Sequence, residues 1–477
     1  MLFNSFEFAV FFPLVAAAYF LLPYRWRWLL LLVASYYFYM AWKAQYAILL
    51  VISTVIDFVA SNAMAKASDQ ATKKRWLLLS IFTNLGILVG FKYFNFLNAS
   101  VRAVFPAWPV EDLDVLLPMG ISFYTFQTMS YTIDVYRGLL PPTRHFGRFA
   151  LYVTFFPQLV AGPIERAPNL LPQFFKDIPF DADRVIRGLK QMLWGFFKKL
   201  VIADRVGLIV DQVYNAPAQQ DGLTVVLASV LFALQIYCDF SGYSDIAIGA
   251  ARVLGYDLME NFRTPYGAAS IREFWSRWHI SLSTWFRDYV YIPLGGNRVV
   301  RWRWYYNLFV VFAVSGLWHG ANWTFIVWGA LHGAYLVLAL VFAPFWERVE
   351  AGLGVARIPV LWRALNRSVT LLLVLVAWVL FRANDLGDVA ILFGKVGEGV
   401  VSTSALEVIF RDMGAGIVSV SLLLAALFVL IDPWADDVAK GRRQMNGAAS
   451  YAYHGLLLAA CLLFGHFGST AFIYFQF

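Results

Sequence analysis

The chain has 477 residues, of which 60% are hydrophobic and only 14% charged, against about 25% charged in a soluble globular domain. A water-soluble particle of this length has no interior large enough for that much apolar side chain, so that class is excluded and the lipid bilayer is the solvent that fits. The net charge of +8 is gathered in loop clusters (Arg25 and Arg27; Lys66, Lys73, Lys74 and Arg75; Arg144 and Arg148; Lys440, Arg442 and Arg443), a pattern of cytoplasmic loops and not of a nucleic-acid surface.

In chain order, apolar runs cover residues 8–22, 28–42, 46–60, 76–91, 223–238, 324–345, 368–381, 413–431 and 448–464. A crossing helix needs about 17–25 such residues, so several runs are short and must pair, tilt or re-enter. The expectation is an all-α polytopic membrane protein with ten to twelve hydrophobic helices, some re-entrant or interfacial. Continuous runs argue against a barrel, whose strands would alternate. The run 8–22 has no basic residue before it and more spans after it, so it is expected to be a retained first helix and not a cleaved signal. Arg25 and Arg27 follow the first run, and the Lys73–Arg75 cluster follows the third. If both loops are cytoplasmic the N-terminus lies outside. The acidic loop with Glu111, Asp112 and Asp114 then also lies outside, and the Lys440–Arg443 loop would put the C-terminus there too.

No repeat is visible, and the chain reads as one membrane-embedded unit, 1–477. Within it, 1–110 and 346–477 are simple helices, while 111–345 is denser in Gly, Pro, Trp and charge. Ionisable groups at membrane depth are costly and tend to mark functional cavities. In 254–300 the close pairs Arg272–Glu273 and Arg287–Asp288 interleave with Trp275, Trp278, Trp285, Phe286 and Tyr289. This segment is too polar to face lipid. It is either a re-entrant helix folded over a cavity or an amphipathic helix lying at the membrane surface.

Of six histidines, His145 sits in a basic loop and reads as solvated, and His454 and His466 read as structural. His319 stands in Ser315-Gly316-Leu317-Trp318-His319-Gly320-Ala321-Asn322-Trp323, with glycines on either side. Small residues there let a ligand or another backbone approach the ring. Histidine suits proton transfer near neutral pH, but by composition alone a hydrogen-bonded structural role is favoured for any one intramembrane histidine. His279 lies 40 residues earlier, and His332 is the one ionisable group of 324–345. No His or Cys pair has close ligand spacing, so no metal is expected. Cys238 and Cys461 read as small buried hydrophobes. Asp57, Glu165, Arg166, Asp239 and Asp245 are further polar groups near apolar segments. The two last either form ion pairs or line a substrate path.

Taken in order, several blocks resemble the membrane-bound O-acyltransferase superfamily in its bacterial alginate O-acetyltransferase-like branch. They are Met1-Leu2-Phe3-Asn4-Ser5, residues 117–127, residues 156–164, the run from Tyr237 to Asp245, residues 274–298, Gly316-Leu317-Trp318-His319-Gly320 and the terminal Phe472-Ile473-Tyr474-Phe475-Gln476-Phe477. The resemblance implies a helical fold around a central funnel, in a multi-pass protein of the inner (plasma) membrane. It implies that His319 is a general base on an acceptor hydroxyl attacking an acyl thioester. His279 stands where many members carry a second polar catalytic residue, and His332 is then packing in the funnel wall. Asp239, Asp245, Arg287, Asp288, Trp318 and Asn322 are candidates for the cavity or donor path. Tyr474 is either an acyl relay or an interfacial aromatic anchor.

The activity implied is transfer of an acetyl group from a cytoplasmic donor, acetyl-CoA, across the membrane for O-acetylation of an extracytoplasmic polysaccharide: alginate-like, cellulose or peptidoglycan. No tightly bound cofactor is implied. The partners implied are a periplasmic or extracellular esterase-like acetyltransferase and the polysaccharide acceptor. D-alanyl transfer to teichoic acid is the nearest competitor. Against a transporter or flippase, the chain lacks the repeat symmetry common in that class, and a scaffold leaves the buried polar residues unexplained.

Overall fold

A computed structural model describes residues 1–467, 472 and 473 of the chain. Among the described residues every regular element is a helix, and eleven helices have sixteen residues or more, which matches the expected ten to twelve. Seven helical stretches are long and apolar enough to cross a membrane. One of them, Tyr24–Lys66, has 43 residues and would measure about 65 Å, twice the hydrocarbon core. It is two helices, Tyr24–Lys43 and Ala47–Lys66, folded at the short turn Ala44–Tyr46.

Capping residues fix the helix starts. Ser5 accepts from the Phe8 amide at 3.3 Å and Asp69 from Thr72 at 2.7 Å, and Asp221 accepts from Thr224 at 2.9 Å. Each satisfies an amide with no partner inside its own helix. The helix that Asp221 opens, Gly222–Leu254, runs 33 residues to Gly255, whose φ of +91° ends it. It is about 50 Å long and forms the axis of the core.

Two helix pairs frame the centre through glycine. Ala182–Phe196 lies antiparallel on Gly222–Leu254, with Gly188 against Gly249 and Gly195 against Gly242. A Cβ on Gly195 would stand 2.6 Å from the Gly242 carbonyl oxygen, so only glycine permits this approach. Likewise Arg301–His319 packs on Trp323–Val341, where a Cβ on Gly316 would lie 2.2 Å from the Phe325 carbonyl oxygen. The glycine before His319 therefore admits another backbone. Gly320 admits the Phe325 ring, 2.1 Å from where a Cβ would stand.

The polar segment 254–300 contains no spanning helix. It folds as two short helices, Ile271–Arg277 and Ile280–Phe286, followed by the wide turn Arg287–Tyr291. His279 breaks the pair with a φ of +43°, a left-handed conformation costly for a side chain with a Cβ. The break is held because the Ile280 amide donates to the Asn261 carbonyl at 3.0 Å.

Candidate active site

Three buried imidazoles come together although they lie on separate elements. His319 is the last residue of Arg301–His319, and its ring meets Trp318 and Trp328 at 5.0 Å each and Phe381 at 5.5 Å. The His279 ring centroid lies 6.4 Å from that of His319. His279 Nδ1 is 3.2 Å from Asn261 Oδ1, which also accepts from the Ser281 amide and hydroxyl. Asn261 thus fixes both the ring and the chain break that carries it. His332, on Trp323–Val341, accepts at Nδ1 from Trp275 Nε1 at 3.3 Å and stacks parallel to Phe274.

His319 is buried in protein and borders a cavity. It lines a cavity of about 260 Å³ together with Trp318, Lys92, Ser122, Phe123 and the backbone around Gly120. A second cavity of about 170 Å³ lies against Trp275, Leu282, Phe286, Arg287 and Ser315. Ser315 is one helical turn before His319, so the two cavities flank the end of the same helix. Gly120 explains why two of the sequence blocks meet. Its φ is +73°, and a Cβ there would stand 2.6 Å from the Leu159 carbonyl oxygen. Beside that contact, Gln127 and Gln158 both donate to the Tyr152 carbonyl, at 2.6 and 2.8 Å.

The other candidate residues divide. Trp318 lines the larger cavity, and Arg287 lines the smaller while pairing with Asp288 at 2.8 Å. Asp288 also meets Arg166 at 3.4 Å. Asp239 and Asp245 line neither cavity. Both are buried in a charged cluster with the adjacent lysines of the wide turn Phe197–Ala203. Lys198 pairs with Asp245 and donates to Ser241, while Lys199 reaches Asp204 at 2.8 Å and Asp239 at 2.7 Å. Asn322 lines neither cavity either. It caps Trp323–Val341 by accepting from Thr324, and it donates to the Asn384 carbonyl. His145 is not simply solvated: it caps Phe146–Thr154 and packs on Trp28 at 4.9 Å. Tyr474 lies outside the described residues. Among those residues no group of three or more His, Cys, Asp or Glu could hold a metal ion.

The sequence reading missed Lys92. Its Nζ donates to the Trp318 and His319 carbonyls at 2.8 and 2.9 Å. The signal was a lone lysine between Phe91 and Tyr93, just past the end of the apolar run 76–91.

Residues 139–374 match the model of the MBOAT, membrane-bound O-acyltransferase family. The chain is 42% identical to the probable alginate O-acetylase AlgI of Azotobacter vinelandii over 395 residues, 82% of this chain and 76% of that protein. The chain belongs to the membrane-bound O-acyltransferase family. It is a multi-pass membrane protein and an acyltransferase. This acyltransferase is also 35% identical to the peptidoglycan O-acetyltransferase of Helicobacter pylori, over 74% of this chain and 71% of that protein. To the teichoic acid D-alanyltransferase of Bacillus subtilis it is 28% identical, over 54% and 65%. The family match contains all three clustered histidines and the Lys198–Asp245 cluster, and it begins downstream of Lys92.

Proposed function

We propose that this acyltransferase takes an acetyl group from acetyl-CoA on the cytoplasmic side and passes it outward for O-acetylation of an extracytoplasmic polysaccharide of the alginate type. The observation that carries the reading is His319 in the wall of a cavity with His279 beside it, 6.4 Å ring to ring. In the transfer, the acceptor oxygen attacks the thioester carbonyl carbon and gives its proton to His319. The C–O bond forms, the C–S bond breaks, and the proton passes on to the departing thiolate. His279 donates to the carbonyl oxygen as it gains charge, a contribution that counts for most in a water-poor site.

Orientation follows from the basic loops. The helix Gln70–Leu88 starts at the Lys73–Arg75 cluster and is about 28 Å long, close to the hydrocarbon thickness. With that cluster in the cytoplasm, the N-terminus and the Lys92 cavity lie toward the outer side of the inner membrane. The cavity at Arg287 then lies toward the donor. An esterase-like extracytoplasmic transferase receives the acetyl group at the outer mouth, and the chain holds no cofactor beyond its donor. Acetyl transfer is favoured over D-alanyl transfer by the 42% against 28% identity of the respective relatives.

The test is His319→Ala in a strain where this chain is the sole copy. Polysaccharide O-acetyl content should fall to background while the protein stays at its normal membrane level. Retained acetylation at normal level rejects the assignment.

A further inference from the structure

The wide turn Val89–Tyr93 interrupts the path from Gln70–Leu88 into Phe94–Val104. Such insertions occur mostly where a helix must re-aim side chains, often at functional sites. Here two consecutive residues are aimed at one target. Lys92 Nζ donates to the carbonyls of Trp318 and His319, and the Tyr93 hydroxyl donates to that of Leu317 at 2.9 Å. The last carbonyls of a helix have no partner within it. At the end of Arg301–His319, three successive ones are satisfied by a different helix, and the last of the three is the backbone of His319 itself.

A positive charge at a helix C-terminus is favourable, but a lysine in an apolar run is a costly way to place it. Among the described residues no carboxylate stands within ion-pair distance of Lys92. Its further contacts are Ser122 Oγ at 3.4 Å and the Trp318 ring, 5.9 Å from Nζ to the centroid. It lines the cavity that His319 lines. The amine's donors are therefore kept where the chain turns out of the helix and the imidazole must hold its aim.

We infer that Lys92, assisted by Tyr93, is a positioning residue for acyl transfer, clamping the backbone of His319 so that its ring keeps its bearing on the cavity when substrate enters. The inference rests on the reading of His319 as the base. Because the clamp acts through the backbone, its loss weakens the chemical step and leaves donor binding nearly intact. Misplacing a reacting group by about 1 Å costs on the order of 10²-fold in rate.

Membranes bearing the full chain are assayed for CoA thiol release from acetyl-CoA, and cells for polysaccharide O-acetyl content, in K92M, K92R, Y93F and H319A. For K92M we expect kcat to fall on the order of 10²-fold with KM for acetyl-CoA within about threefold. K92R keeps charge and donors and should recover most of kcat, and Y93F should lose about threefold, as suits one neutral hydrogen bond. A K92M kcat within twofold of the unsubstituted chain, with H319A inactive, overturns the clamp, and so does a loss confined to KM. If H319A itself retains activity, the proposed function fails and not the clamp alone. Should K92M not accumulate in membranes, Y93F decides, since it removes one hydroxyl and no charge: an unchanged kcat overturns the inference, and a kcat-only loss supports it.

Discussion

Two polar centres lie back to back across the helix Gly222–Leu254, and neighbouring residues of that helix face each. Asp239 points to Lys199, and Phe240 packs on His279 at 4.6 Å. The first centre is closed: Lys198, Lys199, Asp204, Asp239 and Asp245 are all buried, Lys198 pairing with Asp245 and Lys199 bridging Asp204 and Asp239. The second borders open space: His319 sits buried among aromatic rings and lines a cavity. Closed ionic clusters hold helices in register and are damaged by removing either member. An imidazole that borders a cavity can meet a substrate that enters it. The difference separates a residue that keeps the fold from one that does chemistry, although both look alike as polar groups in an apolar sequence.

The comparison breaks most visibly at the closed centre. Lys198→Met leaves the Asp245 carboxylate buried without its cation, which should cost about 3–5 kcal/mol. Thermal unfolding in detergent and membrane abundance should both drop, and adding Asp245→Leu should restore much of the loss. If K198M is as stable as the unsubstituted chain, the cluster is not the register lock described here. At the open centre the damage should be kinetic. His279→Ala is expected to lower acetyl transfer by about 10²-fold with little change in unfolding temperature. Equal losses of stability and rate would remove the distinction between the centres. Asn261→Ala, which frees the His279 ring and the Ser281 amide but keeps the backbone bond from Ile280, should cost about tenfold in rate, less than the loss of His279 itself, read in the same assay.

The smallest effect concerns a third group at the helix ends. Burial alone would raise the Glu260 carboxyl, but Lys440 and hydrogen bonds from Arg263, Lys440 and Arg442 outweigh it and lower the carboxyl from 4.5 to about 2. A carboxyl held low in the folded state contributes stability above its unfolded value, and that contribution is lost as pH falls toward the folded one. The unfolding temperature of the unsubstituted chain should exceed that of Glu260→Gln above about pH 5. The gap should close between 4.5 and 2, the span of the carboxyl's shift. A gap unchanged across that window would show that Glu260 acts by packing alone.

Hydropathy made the helical class and most helices legible, because continuous apolar runs leave few other structures in lipid. The run at 223–238 ends at Asp239 only when its charges are counted as exposed. The helix continues to Leu254 because Lys199 and Lys198 meet Asp239 and Asp245 inside the protein. Those lysines stand some forty residues earlier in the sequence, so no local pattern pairs them. The glycine-flanked block singled out His319 and, as a cavity or donor-path candidate, Trp318, and the structure sets the two side by side in the cavity wall. Lys92 was not legible, since periodicity tells which face a residue takes but not which helix that face meets. Asn322 was a candidate for the cavity or donor path through the family resemblance. It caps the next helix instead, because a chain reversing after Gly320 leaves the Thr324 amide without a partner of its own.

The most direct test sets two neighbouring histidines against each other. His319 and His332 are both buried and lie 5.0 and 5.1 Å from the same Trp328 ring, but only His319 lines the cavity. Acetyl transfer should fall by about 10²–10⁴-fold in His319→Ala. His332→Ala, which loses one neutral hydrogen bond and some packing, should stay within about tenfold. Comparable losses in the two variants, at equal membrane abundance, would contradict the claim that His319 is the proton-transfer residue.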